Sequence, residues 1–437
     1  AKLSEIPGEY PVLESMSEGL GKNTFAAYEF VCVQHMLGGQ VPFFDTCRKL
    51  GMAPSRTSLI GIPYSSSQVV VDALRDRGWD VRSPPLDLAQ WLEDVRTALY
   101  DRVRSALKHG RKIRVLDDGG MVAKLLATDP YLKEHADLFA LVEQTRRGIT
   151  VADEHGLECG LVNAAQSLAK VLEGLLIGNN LQVKLIKRLE KMGIESVEGM
   201  KIGVCAHGVI SAPLAEALRA LGAIVTVRDV DPEAQQAAID AGFKDGSDAK
   251  TFFGGQNMIL GASGVESISA EDLAYVKGGT ILGSCSSKLV EIDIATLARL
   301  AAQTGGSVET LSDGNFPPTV QFNLPDGRSI RVLASGFPLN FDGDVNNLDP
   351  WRVQLTHAIM LGGLLQSTGV TISGIHRLDP WRQLQFLDDY VGVLGDEDED
   401  REIREALALT QLRLQETQRE AGANYARRDG RMRRLRR

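Results

Sequence analysis

Residues able to exchange protons follow two of the apolar runs in this 437-residue chain. His35 comes directly after the run 25–34, and Asp117 and Asp118 follow the run 113–116. An unperturbed imidazole titrates near neutrality, so His35 is a natural acid or base. Two adjacent carboxylates repel each other when ionised, so a buried pair needs hydrogen-bond donors or a polar ligand. Open α/β sheets bind ligands at such strand ends; a polar strand end without chemistry and a solvated acidic turn are the alternatives.

A second signal is the order of elements around Gly208. The run 201–205 predicts a strand, apolar residues at helical spacing predict a helix over 210–221, and the run 224–227 predicts another strand that ends at Asp229. Strand, tight turn, helix, strand and acidic residue is the order of a dinucleotide-binding βαβ unit. Asp229 also follows Gly208 at close to the ~20-residue offset at which a carboxylate binds a ribose.

The glycine fingerprint of that unit is incomplete. Ala206, Gly208 and Ser211 occupy the positions where three glycines are usual. Only the middle position, where backbone approaches the pyrophosphate, is a glycine, and each Cβ at the others restricts φ. Gly208, with Val209 and Ile210 after it, is the predicted cofactor contact, and an ordinary βαβ unit is the alternative.

Length and composition limit the class of protein. A chain of 437 residues predicts two domains, and 43% hydrophobic with 24% charged residues is ordinary globular usage. No apolar run approaches the ~20 residues of a membrane span, and the start has no signal-peptide pattern. The five scattered cysteines predict reduced thiols in a cytoplasm and no metal site. A net charge of −9 gives no reason to expect nucleic-acid binding.

Strands and helices continue to alternate along the chain, which favours an α/β fold. A helix beginning at Asn179 is expected to connect the domains, and 319–323 and 329–333 predict paired strands around a Pro-Asp-Gly turn. Near the end, an acidic block at 396–400 precedes a leucine-bearing helix over 401–418 and an arginine-rich tail. This pattern is typical of a solvated or inter-subunit helix, with a site for an anionic partner as the alternative.

The motifs together resemble the adenosylhomocysteinase family over roughly residues 25–365. The resemblance is carried by the segments 115–120, 229–232 and 290–293 and by the hairpin 324–336 that leads to Asn340. It implies two Rossmann-like doubly wound domains, a substrate domain and an inserted NAD-binding domain, with a C-terminal helical tail. The implied boundaries are 1–180 for the substrate domain, 181–345 for the NAD domain, 346–395 for the return to the substrate domain, and 396–437 for the tail.

The family's chemistry supplies expectations for three residues. In that family a tightly held NAD oxidises the nucleoside 3′-hydroxyl, a group is eliminated across C4′–C5′, a nucleophile adds, and the hydride returns. His35 falls on the histidine near the 5′ leaving group, Asp118 on a carboxylate close to the ribose, and Lys170 on the lysine beside the 3′-hydroxyl. A lysine can deprotonate a hydroxyl only if burial or a second cation lowers its pKa, and Arg146 or Arg147 would supply that cation.

The resemblance also assigns the cofactor contacts. Asp229 stands where a glutamate holds the NAD ribose, Thr145 and Ser263 where hydroxyls contact the cofactor, and Asn340 where an amide meets the nicotinamide carboxamide. The charge of Asp229 favours NAD over NADP, although the neighbouring Arg228 weakens that argument.

Other positions depart from the family pattern. Gln144 replaces a glutamate, Ser287 the catalytic histidine, Asn346 the histidine that gates the amino-acid tail, and residues near 174–175 an aspartate-asparagine pair. These changes put hydrolysis of adenosylhomocysteine in doubt. The sequence predicts a dehydratase or hydratase acting at the 5′ side of a modified nucleoside, as in nucleoside-antibiotic pathways.

Two alternatives stay open, a genuine adenosylhomocysteine hydrolase with an altered site and a non-catalytic NAD-binding regulatory homologue. A homodimer or homotetramer is expected from the resemblance and from the apolar stripe of the helix over 401–418.

Overall fold

A computed structural model describes residues 3–83, 86–286, 289–394, 401 and 403–417. The described residues up to Glu173 and from Asp349 onward form one compact unit, called unit 1, and Gly174–Leu348 form the other, called unit 2. Unit 2 is therefore inserted into the sequence of unit 1.

The strands and helices are numbered in chain order. The strands are β1 (Tyr28–Gln34), β2 (Thr57–Gly61), β3 (Asp80–Arg82), β4 (Lys112–Asp117), β5 (Phe139–Glu143), β6 (Gly160–Asn163), β7 (Lys201–Cys205), β8 (Ile224–Arg228), β9 (Lys244–Asp245), β10 (Met258–Gly261), β11 (Ile281–Ser284), β12 (Ser307–Thr310), β13 (Val320–Asn323), β14 (Ser329–Val332) and β15 (Gly374–Arg377). The helices are α1 (Pro11–Ser17), α2 (Gln40–Lys49), α3 (Gln68–Asp76), α4 (Leu88–His109), α5 (Met121–Thr128), α6 (Pro130–Glu134), α7 (Arg146–His155), α8 (Leu168–Lys191), α9 (Ser211–Ala220), α10 (Pro232–Asp240), α11 (Ala249–Gly255), α12 (Ala270–Leu273), α13 (Ile294–Ala301), α14 (Gln354–Ser367) and α15 (Pro380–Val391).

Unit 1 is built on a parallel sheet of strand order β15-β6-β5-β4-β1-β2-β3. The central strands are buried along nearly their whole length, and their apolar residues face both sides of the sheet. The chain leaves β1 toward β2 on one side and returns to β4 on the other. This reversal between β1 and β4 is where an open α/β sheet forms a ligand crevice.

Unit 2 has the order β12-β13-β14-β11-β10-β7-β8-β9. Its strands are parallel from β14 to β9, and β12, β13 and β14 form an antiparallel edge that includes the predicted hairpin. The chain runs from β7 to β8 on one side and to β10 on the other, so β7 lies at the reversal. The predicted α/β class with two doubly wound sheets is confirmed.

The predicted start of the connecting helix is wrong, because α8 begins at Leu168 rather than at Asn179. Glycines at 174 and 178 interrupt the helical pattern in the sequence and hide this start. In the structure they are needed for close approach. A side chain at Gly174 would meet Val209, and one at Gly178 would lie 2.6 Å from the carbonyl oxygen of Ile210.

The helical segment 403–417 buries its own apolar stripe. Ile403, Leu407 and Leu414 are almost completely buried within the same chain, whereas Leu409 and Leu412 are exposed. The chain itself therefore covers only part of the stripe, and the expected oligomer stays a prediction. Within the described residues, no helix is both long and apolar enough to cross a bilayer.

Candidate functional site

His35 and Asp118 lie together in unit 1 at the reversal of its sheet. They follow the adjacent strands β1 and β4, and His35 Nε2 is 3.5 Å from Asp118 Oδ2. The other ring nitrogen, Nδ1, is 2.5 Å from Ser65 Oγ. Ser65 also donates to the carbonyl oxygen of Ile62, so its oxygen is oriented to accept from an Nδ1–H. A ring nitrogen and a carboxylate are thus within reach of one exchangeable proton.

Asp117 has a different task from its neighbour. Its carboxylate accepts from the backbone N–H of Asp118 at 3.0 Å and from that of Val122 at 2.9 Å. It therefore satisfies the first turn of α5 and holds the glycine turn before it. The expectation that a buried acidic pair needs donors is confirmed for Asp117.

Glu143, at the end of β5, holds the same glycine turn from the other side. It is fully buried and accepts from Gly119 N, Gly120 N, Thr145 N and Thr145 Oγ1 at 2.7–3.1 Å. Burial, followed by the nearby carboxyls of Asp117 and Asp118, raises the pKa of Glu143 to about 8, although hydrogen bonds from Thr145 oppose the shift. Nothing in the local sequence pattern indicates this role.

Gln144 and Thr145 are engaged by the protein itself. Gln144 is buried, and its amide donates to the carbonyl oxygen of Asp117 at 3.4 Å. The Thr145 hydroxyl donates to Glu143 and accepts from Gly148 N at 3.0 Å, which makes Thr145 the N-cap of α7. Thr145 belongs to unit 1, whereas the other predicted cofactor residues belong to unit 2.

Lys170, in the first turn of α8, pairs with a carboxylate. Its ammonium contacts Glu173, which is buried and accepts from Thr356 Oγ1 at 2.8 Å. Arg146, predicted as a possible second cation, is exposed. Sequence reasoning missed Glu173, although its i,i+3 spacing from Lys170 is a signal that points to such a pair.

The last two predicted substrate residues are Ser287 and Asn346. Ser287 lies outside the described residues. Asn346 is half-buried in the segment between β14 and α14 and belongs to unit 2.

The turn after β7 has the backbone of a dinucleotide site without all its glycines. Ala206 adopts φ +90°, in the left-handed region that favours glycine. Gly208 and Val209 are exposed, and a side chain at Gly208 would have Ser211 Oγ, at 3.9 Å, as its nearest neighbour. The space above Gly208 is therefore open to a ligand. Ser211 accepts from Gly208 N at 2.7 Å and begins α9.

Asp229, after β8, faces this turn. Its Oδ2 accepts from the backbone N–H of His207 at 2.7 Å, which links the acidic residue to the turn. The neighbouring Arg228 donates to the carbonyl oxygens of Gly246 and Ser247 at 3.2 and 2.6 Å. Arg228 is thus engaged by the protein, and the preference for NAD over NADP stays a prediction.

Ser263 follows β10 and is held by a buried glutamate, Glu291. The donors to Glu291 come from three serines and one backbone group: Ser263 Oγ at 2.9 Å, Gly264 N at 2.6 Å, Ser286 Oγ at 2.5 Å and Ser267 Oγ. Glu291 is fully buried. It therefore connects the loops that follow β10 and β11.

Asn340 lies in the loop at the end of β11. Leu339 N donates to Ser284 O at 2.9 Å, and Pro338 forms a bridge with the same strand residue. The Asn340 side chain is half-buried and makes no hydrogen bond to the described residues.

The predicted cofactor residues of unit 2 form a row. Ser263, Gly208 and Asp229 follow β10, β7 and β8, and the loop of Asn340, which comes after β14 in the chain, is joined to the last residue of β11. The strands β11, β10, β7 and β8 are successive neighbours in the sheet. Parallel strands lie ~4.8 Å apart, so the row spans about 14 Å. Its order, from an amide for nicotinamide through the open turn for pyrophosphate to a carboxylate for ribose, is the order of these groups along NAD. The residues therefore fit an extended dinucleotide.

Among the described residues, no group of three or more His, Cys, Asp or Glu side chains is arranged to hold a metal ion. The features of unit 2 define an NAD-binding domain of the α/β class.

Comparison with known proteins identifies the type of domain. Residues 182–345 match the family model of the S-adenosyl-L-homocysteine hydrolase NAD-binding domain. An uncharacterized protein of Mycobacterium tuberculosis is 27% identical over 371 residues, which cover 82% of this chain and 68% of that protein. The adenosylhomocysteinase of Sulfurisphaera tokodaii is 26% identical over 283 residues, or 64% of this chain and 63% of the relative.

A third relative is the S-inosyl-L-homocysteine hydrolase of Methanothermobacter thermautotrophicus, 23% identical over 258 residues, or 58% of this chain and 59% of that protein. Among solved structures, the dipicolinate synthase A chain of Bacillus subtilis aligns with a TM-score of 0.39 and 10% identity, over 78% of this chain and 98% of that one.

Unit 2 is thus an NAD-binding domain of the adenosylhomocysteinase type. The chain as a whole is similar to adenosylhomocysteinases only at low identity, and its cofactor is NAD.

Proposed function

We propose that this protein is an NAD-dependent enzyme that transiently oxidises a sugar hydroxyl of a nucleoside and removes or adds water at its 5′ side. The observation that carries the proposal is the contact of His35 with Asp118 at the sheet reversal of unit 1, in a chain whose unit 2 binds NAD. An acid and a base in contact, with a hydride carrier, are the groups that such a reaction requires.

The NAD would be held by Gly208, Asp229 and Asn340, with Ser263 beside them. When bound, it takes up a hydride from the carbon that carries the sugar hydroxyl and returns it at the end of the cycle. Lys170, kept charged by its carboxylate partner, would hold that hydroxyl oxygen, and the buried Glu173 carboxylate would take its proton.

The elimination needs one base and one acid. Oxidation at C3′ makes the C4′ hydrogen acidic, and Asp118 would remove it. His35 would donate the Nε2 proton to the departing 5′ hydroxide, so that the C5′–O bond breaks, the C4′=C5′ bond forms and water leaves. Because Asp118 and His35 are 3.5 Å apart, the proton taken from C4′ can pass to the imidazole and restore both groups.

The proposed leaving group is small because Ser287 and Asn346 stand where the family has histidines that can transfer protons. Neither Ser287 nor Asn346 can carry a proton near neutral pH as an imidazole does. A departing hydroxide needs one acid beside it, which His35 provides.

The test uses the NAD-loaded protein in deuterated water with adenosylhomocysteine and, separately, with 5′-hydroxylated adenine nucleosides. We expect exchange of the C4′ hydrogen and transient absorbance of the reduced cofactor with the nucleosides, and no homocysteine release. Lys170→Ala should abolish exchange, while Lys250→Ala, a change at an exposed lysine, should not.

Two other outcomes identify the alternatives. Fast homocysteine release from adenosylhomocysteine or its inosyl analogue would show a hydrolase, a function that the names of two relatives favour. Bound NAD with no reduction by any nucleoside would indicate a non-catalytic NAD-binding protein. A homodimer or homotetramer is proposed from the resemblance, and light scattering at micromolar concentration tests it.

A further inference from the structure

Arg188, on α8, is among the most deeply buried side chains of unit 2, with 1% of its surface exposed. Its guanidinium donates to four backbone carbonyl oxygens, those of Phe316 (2.7 Å), Pro317 (3.2 Å), Leu339 (3.2 Å) and Phe341 (2.8 Å). A planar group with five N–H donors in a fixed fork suits this task, whereas a lysine has three donors on one atom.

Two of these carbonyls belong to the residues on either side of Asn340. The backbone before and after Asn340 is therefore fixed by one guanidinium, and the loop is joined to β11 through Leu339 N and Ser284 O. In contrast, the Asn340 side chain makes no hydrogen bond to the described residues, so the protein orients it through its backbone alone.

Nearby aspartates help to stabilise the buried positive charge of Arg188. Lys184 and Lys187, on the same helix, pair with Asp342 and Asp344 at 2.7–3.4 Å. Burial lowers the pKa of Arg188, and the charges of Asp342, Asp313 and Asp344 oppose that effect. A buried cation contributes little net stability compared with a well-packed apolar side chain, so its presence beside a predicted ligand contact suggests a positioning task.

We infer that Arg188 is a positioning residue that holds the Asn340 amide at the nicotinamide end of the bound cofactor. The inference rests on the proposed function, in which Asn340 contacts the nicotinamide carboxamide. It predicts a specific defect, because a displaced amide weakens recognition of nicotinamide and leaves the adenosine and pyrophosphate contacts intact.

The test compares binding of NAD with binding of ADP-ribose, which lacks nicotinamide, by titration calorimetry on the full chain. We expect wild type to prefer NAD, and Asn340→Ala and Arg188→Lys each to reduce that preference about tenfold, the effect of one hydrogen bond. The double variant should show no further loss. The matched control is Lys191→Met, because Lys191 donates from the same helix to Gly314 O at 3.0 Å but not to the Asn340 loop.

Equal weakening of NAD and ADP-ribose by Arg188→Lys would reduce Arg188 to a structural residue and overturn the inference. Asn340→Gln gives a second check that leaves Arg188 in place, because it keeps the amide but shifts it by one methylene. If Asn340→Gln and Asn340→Ala both keep the NAD preference, the inference is wrong even where Arg188 variants do not fold. Absence of NAD binding by wild type would instead overturn the cofactor assignment, and the inference with it.

Discussion

Each unit contains a fully buried glutamate that holds the loops at the carboxyl ends of two strands, but the donors differ. Glu143 in unit 1 receives three backbone N–H groups and one hydroxyl. Glu291 in unit 2 receives one backbone N–H and three serine hydroxyls. Glu143 also lies near two further carboxyl groups, those of Asp117 and Asp118.

The difference matters because a backbone N–H can only donate, whereas a hydroxyl can rotate and accept. The Glu291 cluster can therefore adapt to an amide side chain, whose NH₂ would donate to serine oxygens. The Glu143 cluster cannot reverse its backbone donors, and its charge is opposed by its neighbours. The stability of the Gly119–Gly120 turn, beside the proposed acid–base pair, thus depends on the protonation state of Glu143. The loop beside Ser263 depends only on the presence of an acceptor at position 291.

At constant pH, the largest expected effect of a single substitution is that of Glu291→Leu. The change leaves the donors of Ser263, Gly264, Ser267 and Ser286 without their acceptor. An unsatisfied donor costs about 1–3 kcal/mol when it is buried, and water offsets part of that cost here because these residues are half-buried or exposed. We expect the free energy of unfolding of unit 2 to fall by about 3 kcal/mol, measured by urea titration of the transition that bound NAD shifts.

Glu291→Gln is the matched comparison and should cost less than about 1 kcal/mol, because the serine hydroxyls can reverse. Glu266→Gln changes an exposed glutamate in the loop after β10 and controls for the loss of one negative charge. If Glu291→Leu and Glu291→Gln lower the free energy of unfolding equally, the serine hydroxyls do not reverse, and the distinction between backbone and hydroxyl donors is wrong.

The second prediction concerns pH and separates Glu143 from Glu291. The folded pKa of Glu143 is raised from 4.5 to about 8, so between these values the folded chain holds a proton that the unfolded chain has lost. Stability therefore falls as pH rises across this window, by up to about 1.4 kcal/mol per pH unit.

Urea midpoints of unit 1 measured from pH 5 to pH 9 test this slope. Glu143→Gln mimics the protonated carboxyl and should remove the contribution, whereas Glu291→Gln should leave it in place. An unchanged slope in Glu143→Gln would assign the pH dependence to other groups.

The smallest effect is expected from Ala206→Gly in the cofactor turn. At the corresponding turn of unit 1, Gly119 and Gly120 adopt φ +91° and +75°, but unit 2 places an alanine at φ +90°. Glycine relieves this strain, and the greater freedom of the unfolded chain offsets part of the gain. We expect a rise of up to about 1 kcal/mol in the free energy of unfolding, measured by urea titration.

The reverse change, Gly120→Ala, provides the control. A side chain at Gly120 would lie 2.7 Å from Gly148 Cα, so this variant should be clearly destabilised. If Ala206→Gly also destabilises, the strain at Ala206 is absent or compensated.

The doubly wound α/β class and the strand–turn–helix–strand unit around Gly208 could be predicted, because these features have local signals. Gly208 and Asp229 are separated by one helix, and a polar residue after an apolar run marks a strand end. Arg188 could not be assigned its role, because its partners are backbone carbonyls of distant loops that leave no trace in residue type. Glu143 and Glu291 were missed because most of their donors are distant in sequence, and the few nearby donors are ordinary Thr and Ser residues. The start of α8 was missed for a related reason, since its glycines serve contacts with residues 209–213 rather than the helix itself.

The position of β15 has a consequence for how the chain is made. Its parallel partner is β6, although residues 164–373, including all of unit 2, separate the two strands. During synthesis the ribosome therefore releases every strand of unit 2 before the last strand of unit 1. Closing so long an intervening segment carries an entropic cost that grows only slowly with its length, but the pairing must wait for translation. A nascent chain can thus present a complete cofactor domain while the edge of β6 is still open, which is the interval in which this protein most needs protection from aggregation.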